Sequence, residues 1–420
     1  MSERFSRPSS RTSLEALVPG HVIENEHGSF YRADVVTSGR ERRGGIRYGD
    51  VLDLGGDRIA VAGRNPELCD LDLSKTVFVD TETTGLAGGT GTYAFLIGIG
   101  FFDGRDFVVR QFFMRDQSEE KAMMSEVGRQ LREFDWSVSF NGLAFDLPLL
   151  RTRFIMSRIR PELDHMAHFD LLHACRRIWG AAPFAADGGL RLGGLESSLL
   201  DHRRELDVPS WRVPEIYFDF MRSGDAGELA AVFAHNVEDI LSMVSLLGHV
   251  DHVVGSWPDR GRVDPHAVVG IGRILELEGQ LERAADAYAL ALSESLTPEV
   301  AGRAAMSLSF IRKRRADWRG AVPIWQDLAD GKGRWAAASC IELAKYFEHR
   351  EADFGRAFFY CLIARELAAG LGFPFGGQLS DWELEHRANR LKRRMSAAPD
   401  PEKADLVRPG AKLSSGPLRR

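Results

Sequence analysis

Val77-Phe78-Val79-Asp80-Thr81-Glu82-Thr83-Thr84-Gly85-Leu86 is an apolar run that stops on two acids and then on a glycine turn. Three β-branched or aromatic residues leading into Asp80 have the pattern of a buried strand. Strand side chains alternate, so Asp80 and Glu82 leave the same face. Two carboxylates a residue apart on one face suit hard cations, which take oxygen ligands. Outward from this strand, Ala94 to Phe102 and Phe107 to Phe113 read as two more strands, joined by the turn Asp103-Gly104-Arg105. Glu119 to Phe134 has helical period, with Met123, Met124, Val127, Leu131 and Phe134 on one side. Ser137 to Phe140 is a short strand, Asp146 to Ile155 a helix, and Gly227 to Val250 a closing helix with an apolar stripe. Strands first, then strand alternating with helix, predict an α/β layered domain over residues 76–254.

At 420 residues the chain exceeds a single core. Residues 1–25 read as a disordered lead-in and 26–75 as a small β extension, with short strands such as Ser29 to Val36 and Arg58 to Val61. Asp251 to Pro265, bearing Gly255, Pro258 and Gly261, reads as a linker. Residues 264–395 are helical and repetitive: similar segments recur around Ala284, Ala321 and Ala357, at steps of 37 and 36 residues. The step is close to the tetratricopeptide period of about 34, and an α-helical tetratricopeptide-like domain is expected there, offering a surface for a protein partner. Residues 396–420 are polar and read as a disordered tail.

A hydrophobic fraction of 44% with 27% charged residues is that of an ordinary globular protein. The net charge of −6 means that contacts to phosphate must come from local patches. Four cysteines, Cys69, Cys175, Cys340 and Cys361, form no C-x-x-C pair and fit buried thiols in a reducing compartment. No window reads as a membrane helix and no secretory signal is evident, so a cytoplasmic protein without a membrane contact is expected.

Two further segments join Asp80 and Glu82. In Phe140-Asn141-Gly142-Leu143-Ala144-Phe145-Asp146-Leu147-Pro148 a strand turns into a helix beginning near Asp146. In His235-Asn236-Val237-Glu238-Asp239, His235 and Asp239 are four apart and share a helix face. Each segment alone is as compatible with a cap or a turn; the three in this order are more specific. Four converging carboxylates would repel and raise one another's pKa unless cations intervene. Two divalent ions roughly 4 Å apart, Mg2+ or Mn2+, would balance the charge and promote an in-line displacement at phosphorus. His235 is placed to act as the base.

Residues 76–250 resemble the DEDD exonuclease superfamily of the ribonuclease H-like fold, and the Asn-x-x-x-Phe-Asp-x-Pro segment is similar to the proofreading domains of family B DNA polymerases. The long motif Asp80 to Gly98, with a tetratricopeptide-like tail, is similar to the bacterial YprB-like group of predicted exonucleases. The resemblance implies a ribonuclease H-like mixed sheet with helices and 3′–5′ exonuclease activity on the 3′ end of DNA or RNA. It also implies metal ligands Asp80, Glu82, Asp146 and Asp239. The relatives carry tyrosine four residues before the last acid, or histidine five before it; His235 falls between them. Thr83 and Asn141 are the candidate substrate contacts. An endonuclease, and a passive fold whose repeats recruit a partner, are the alternatives. The glycine loop Gly88 to Thr92 precedes a strand rather than a helix, so it reads as backbone room beside the acids rather than a phosphate cradle. Asp164, His165, His168, Asp170 and His173 have helix-compatible metal spacing without a zinc-hydrolase order. Arg151, Arg153, Arg158 and Arg160 are candidates for tracking phosphates, and Tyr93, Phe95 and Phe145 for core or stacking positions.

Overall fold

Strands β1 (His21–Asn25) and β2 (Gly28–Thr37) form a hairpin. The ribbon β3 (Arg42–Arg43) and β4 (Ile46–Arg47) follows, then β5 (Thr76–Thr83), β6 (Ala94–Asp103), β7 (Asp106–Phe113), β8 (Trp136–Ser139) and β9 (Ala167–Asp170). This computed structural model describes residues 12–85, 89–161, 163–204, 208–369 and 381–397. Among them a seven-stranded sheet has the order β1-β2-β7-β6-β5-β8-β9. The pairs from β1 to β5 are antiparallel; β8 and β9 are parallel to β5 and to each other. Thr76, Val77, Phe78 and Val79 are all buried, because β5 lies inside the sheet and is covered on both faces. The β5–β6 register shifts after Glu82, so Thr83 faces Ala94 rather than Phe95. Such a shift re-aims the chain at a strand end.

The helices of the first unit, Met1–Leu296, are α1 (Leu14–Leu17), α2 (Gly56–Gly63), α3 (Glu120–Leu131), α4 (Asp146–Met156), α5 (Leu171–Trp179), α6 (Leu192–Leu199), α7 (Val213–Ser223), α8 (Leu229–Ser256), α9 (Pro265–Leu277) and α10 (Leu281–Leu292). Met123, Met124, Val127 and Leu131 of α3 enter the core together with Phe95, Phe113 and Tyr217. Phe95 and Tyr217 stack at 4.1 Å. The long helix α8 lies on β5 and β6. It comes close because Gly98 and Gly100 have no side chain: a Cβ on Gly98 would stand 2.3 Å from Asn236 Oδ1, and one on Gly100 2.5 Å from Ile240 Cγ2.

Several expectations change. Residues 12–25 are ordered: Leu14 and Val18 are buried, Tyr31 donates a 2.7 Å hydrogen bond to the Val18 carbonyl, and His21–Asn25 forms β1. Residues 1–11 and 398–420 lie outside the described residues, and so does Gly88. Arg58 to Val61 belongs to α2, not a strand; four residues are too few to separate a period of 2 from one of 3.6, and packing of Ile59, Ala60 and Ala62 decides. The expected linker is helical as far as Ser256. By length and composition α8 also passes as a membrane span, contrary to the sequence expectation, yet here it is a largely buried helix of the core. Cys69 is exposed, while the other three cysteines are buried.

The second unit, Thr297–Arg420, consists among its described residues of α11 (Pro298–Arg314), α12 (Trp318–Ala329), α13 (Arg334–His349), α14 (Phe354–Ala369) and α15 (Asp381–Ala397) around its own core of Trp325, Leu343, Phe347 and Leu391. Ala321 and Ala357 are buried fourth residues of α12 and α14, as Ala284 is of α10 in the first unit. Each is followed four positions later by a buried Tyr288, Trp325 or Cys361.

Replacing Gly98 by alanine drives a methyl group into the Asn236 amide and the Ile240 side chain. Denaturant unfolding should show a loss of about 1–3 kcal/mol for Gly98→Ala. Gly91 has nothing within 4 Å of a built Cβ, and Gly91→Ala should stay within about 0.5 kcal/mol of the parent. Equal stability of the two variants would contradict the close seating of α8.

Candidate active site

The end of β5, the start of α4 and the middle of α8 meet at one cleft of about 660 Å³. Asp80, Glu82, Asp146, Asp239 and His235 all line it, with Thr83 and Asn141, so the expected site residues are brought together. Each acid has its own position-fixing partner or lacks one. Asn236, fully buried, donates from Nδ2 to Asp80 Oδ2 at 2.7 Å. Its own carbonyl accepts the Gln111 amide at 2.8 Å, which fixes which end of the Asn236 amide faces the acid. The Thr81 hydroxyl donates to Asp146 Oδ1 at 2.5 Å. Arg204 donates to Asp239 Oδ1. Glu82 receives no hydrogen bond from the described residues.

These carboxyls hold protons above the usual carboxylate range. For Asp80 the causes are burial, then repulsion by Asp239 and Asp146. For Glu82 they are burial, then Asp80 and Asp239. Burial pushes Asp146 up to about 6 against the Thr81 hydrogen bond, and raises Asp239 against the opposing His235 and Arg204. The donors are hard oxygens, the set that Mg2+ or Mn2+ takes and that zinc sites built on Cys or His do not resemble. As the side chains stand, no three His, Cys, Asp or Glu among the described residues have the spacing of a formed metal site.

The turn before Asp146 is held from behind. Asn141 sits at φ 68°. Buried Asp170 accepts the Asn141 N–H at 2.9 Å, the Leu143 N–H at 3.2 Å and the Leu172 N–H at 3.0 Å. Ser139 Oγ accepts the Gly142 N–H at 3.1 Å, and a Cβ on Gly142 would stand 2.2 Å from that oxygen. Across the cleft the loop carrying Gly85, Gly89 and Thr92 is tied down by Arg153. This nearly buried guanidinium pairs with Glu120, donates to the Thr90 carbonyl at 2.8 Å and lies 4.1 Å over the Tyr93 ring. Arg153 is therefore a tie of the loop rather than a phosphate contact. Phe95 is in the core, and Phe145 stands 58% exposed at the cleft.

His235 Nδ1 is 3.1 Å from Arg204 Nη1, and its Nε2 is 3.6 Å from Asp239 Oδ2. Arginine carries only donors, so in the neutral form of the ring Nδ1 accepts and the proton sits on Nε2. The histidines of the 165–173 segment diverge instead of forming a metal cluster, because Ala167–Asp170 is a strand rather than a helix turn. His165 contacts the Phe134 carbonyl at 3.0 Å, and His173 is half exposed. His168 bridges Ser137 and Ser139 at 2.9 and 3.0 Å, and burial lowers its pKa to about 4. Arg204, Glu196, Asn236 and Thr81 were not expected from the sequence, and Asp170, read there within a metal-spaced segment, holds the turn instead. Asn236 alone had a signal there, since its i,i+3 spacing sets it on the face of Asp239.

Residues 77–251 match the RNase_H superfamily. Over 326 residues the chain is 32% identical to the uncharacterized protein YprB of Bacillus subtilis (strain 168), covering 76% of this chain and 75% of that one. It is also similar to the family B DNA polymerase of the archaeon Pyrobaculum calidifontis, at 16% identity and a TM-score of 0.34, over 51% of this chain and 29% of the polymerase chain.

Asp146 allows a test of the electrostatics. Its folded pKa, about 6, lies above the unfolded value of roughly 4. The folded protein thus holds the extra proton between these values. The stability so gained is complete below pH 4 and lost as pH rises through 6. Asp146→Asn keeps an acceptor for Thr81 and removes the charge. Without divalent ions it should unfold about 1–3 kcal/mol harder than the parent at pH 8, and about equally at pH 4. The reverse pH order would refute the burial penalty on the Asp146 carboxylate.

Proposed function

Because the chain belongs to the RNase_H superfamily, we propose that it is a metal-dependent nuclease that hydrolyses phosphodiester bonds of nucleic acid, and within that class a 3′–5′ exonuclease using two divalent ions. The convergence of Asp80, Glu82, Asp146 and Asp239 from three elements into one cleft carries this reading. Burial, together with repulsion at Asp80 and Glu82, disfavours four ionised carboxylates at neutral pH unless more positive charge enters. Mg2+ or Mn2+ held by these acids would supply Lewis-acid charge and acidify an attacking water.

The protein's own groups divide the remaining work. Thr81 and Asn236 hold two of the acids in fixed orientation, and Arg204 pairs with Asp239. His235 is the base of this proposal; it can take a proton on Nδ1 once Arg204 withdraws from that nitrogen. The Thr83 hydroxyl already donates to the Gly85 carbonyl at 2.9 Å. Toward a substrate it offers only lone pairs, which suits a sugar hydroxyl and not a phosphate oxygen. Asn141 faces the same cleft, and exposed Phe145 provides a surface on which a terminal base can stack. Arg158 and Arg160 are exposed beyond α4 and suit phosphates further along the strand. The buried small residues Ala284, Ala321 and Ala357, equivalent in three helices, support reading residues 264–395 as tetratricopeptide-like repeats that bind a protein partner.

End-labelled single-stranded DNA, duplex DNA and RNA, labelled at either end, will report both activity and polarity. Mg2+ or Mn2+ should support turnover and EDTA should stop it. Asp80→Ala and Asp239→Ala should each lose hydrolysis to background while keeping the parent circular dichroism. His235→Gln should lose roughly 10²–10⁴-fold. Robust turnover by either aspartate variant would sink the assignment.

A further inference from the structure

Arg204 is the one positive side chain that touches both Asp239 and His235 among the contacts described, and it is built into the fold rather than left at the surface. Its side chain is 8% exposed and its partner Glu196, on α6, is 1% exposed. Nε donates to Glu196 Oε2 at 2.9 Å and Nη2 to Glu196 Oε1 at 2.6 Å, a two-pronged pair. Nη2 also donates to Asp239 Oδ1, and Nη1 faces His235 Nδ1 at 3.1 Å. Among the described residues Arg204 thus meets a deep partner in Glu196 and shallow ones, Asp239 and His235, in the cleft.

We infer that Arg204 is a resident counter-cation of the acid cluster, which competes with divalent ions for Asp239 and is drawn back onto Glu196 when they bind. The inference rests on the four acids being the metal ligands. A guanidinium cannot shed its charge by losing a proton. Burial works against that charge, and Glu196 and Asp239 together outweigh the burial. An ion of charge +2 on Asp239 would face a fixed +1 at contact distance, so one of them must yield, and only the arginine has somewhere else to go. Glu196 serves as that tether: it keeps Arg204 paired after Asp239 is released, so no buried charge is left alone. The same withdrawal breaks the Arg204 contact to His235 Nδ1. Arg204 and Glu196 are therefore positioning residues that set metal affinity and couple it to the state of His235.

Mn2+ binding to the full-length chain, followed by titration calorimetry at pH 7.5 without substrate, tests this apart from catalysis. Arg204→Gln strips Glu196 of its partner and can fail to fold, so Glu196→Gln/Arg204→Gln, which removes both charges, is measured beside it. The charge-removing variants that fold should bind Mn2+ roughly tenfold tighter than the parent or better. Arg204→Lys, which keeps the charge, should stay within about threefold of the parent. Unchanged or weaker binding in the double variant would overturn the inference and make Arg204 a support that orients Asp239 for the metal. Asp80→Asn/Asp146→Asn separates the two levels: if the parent binds no Mn2+, or if binding survives this change, the nuclease reading falls and takes the inference with it.

Discussion

A short chain of buried amides joins three elements and fixes the geometry of the site. Gln111 on β7 donates to the Phe233 carbonyl and to the Asn236 side chain, and Asn236 on α8 donates to Asp80 on β5. Buried polar groups are tolerated only when satisfied, so α8 cannot rotate or slide without leaving one of them bare. The missing side chains at Gly98 and Gly100 let the helix come near enough for these bonds to form. Asp239 rides on the same helix, and its place relative to Asp80 follows from that contact.

Around this frame the protein holds together charges that favour separation. Three acids are given a donor, from Asn236 on α8, Thr81 on β5 and Arg204 in the stretch after α6. A fixed donor favours the ionised form, while burial and neighbouring carboxylates oppose it. For these acids the opposition prevails, so without added positive charge the cluster favours retained protons over four permanent anions.

The sequence announced the acids because the strand period and the helix period each leave a visible mark. Alternation along β5 placed Asp80 with Glu82, and a spacing of four placed His235 with Asp239. The α/β character and the buried face of α3 were legible for the same reason. What failed was context. Arg58 to Val61 is too short for its period to show, and the His165–His173 spacing means one thing on a helix and another on a strand. Arg204 and Glu196 stand 35 residues or more before Asp239 with no periodic pattern to tie them to it. Asp170 acts on backbone groups 27 and 29 residues away. Partners of this kind exist only after folding, and nothing local in the chain marks them.

The left-handed backbone at Asn141 bears on how this stretch can drift over evolutionary time. With Asp170 and Ser139 holding the turn, a residue with a bulky Cβ at 141 would cost about 1–2 kcal/mol before any role in the cleft is considered. Glycine, asparagine and aspartate adopt this conformation most readily. An asparagine at this point of the motif is thus favoured by main-chain conformation as well as permitted by chemistry. Its recurrence across homologues, taken alone, would measure the shape of a turn and not the identity of a substrate.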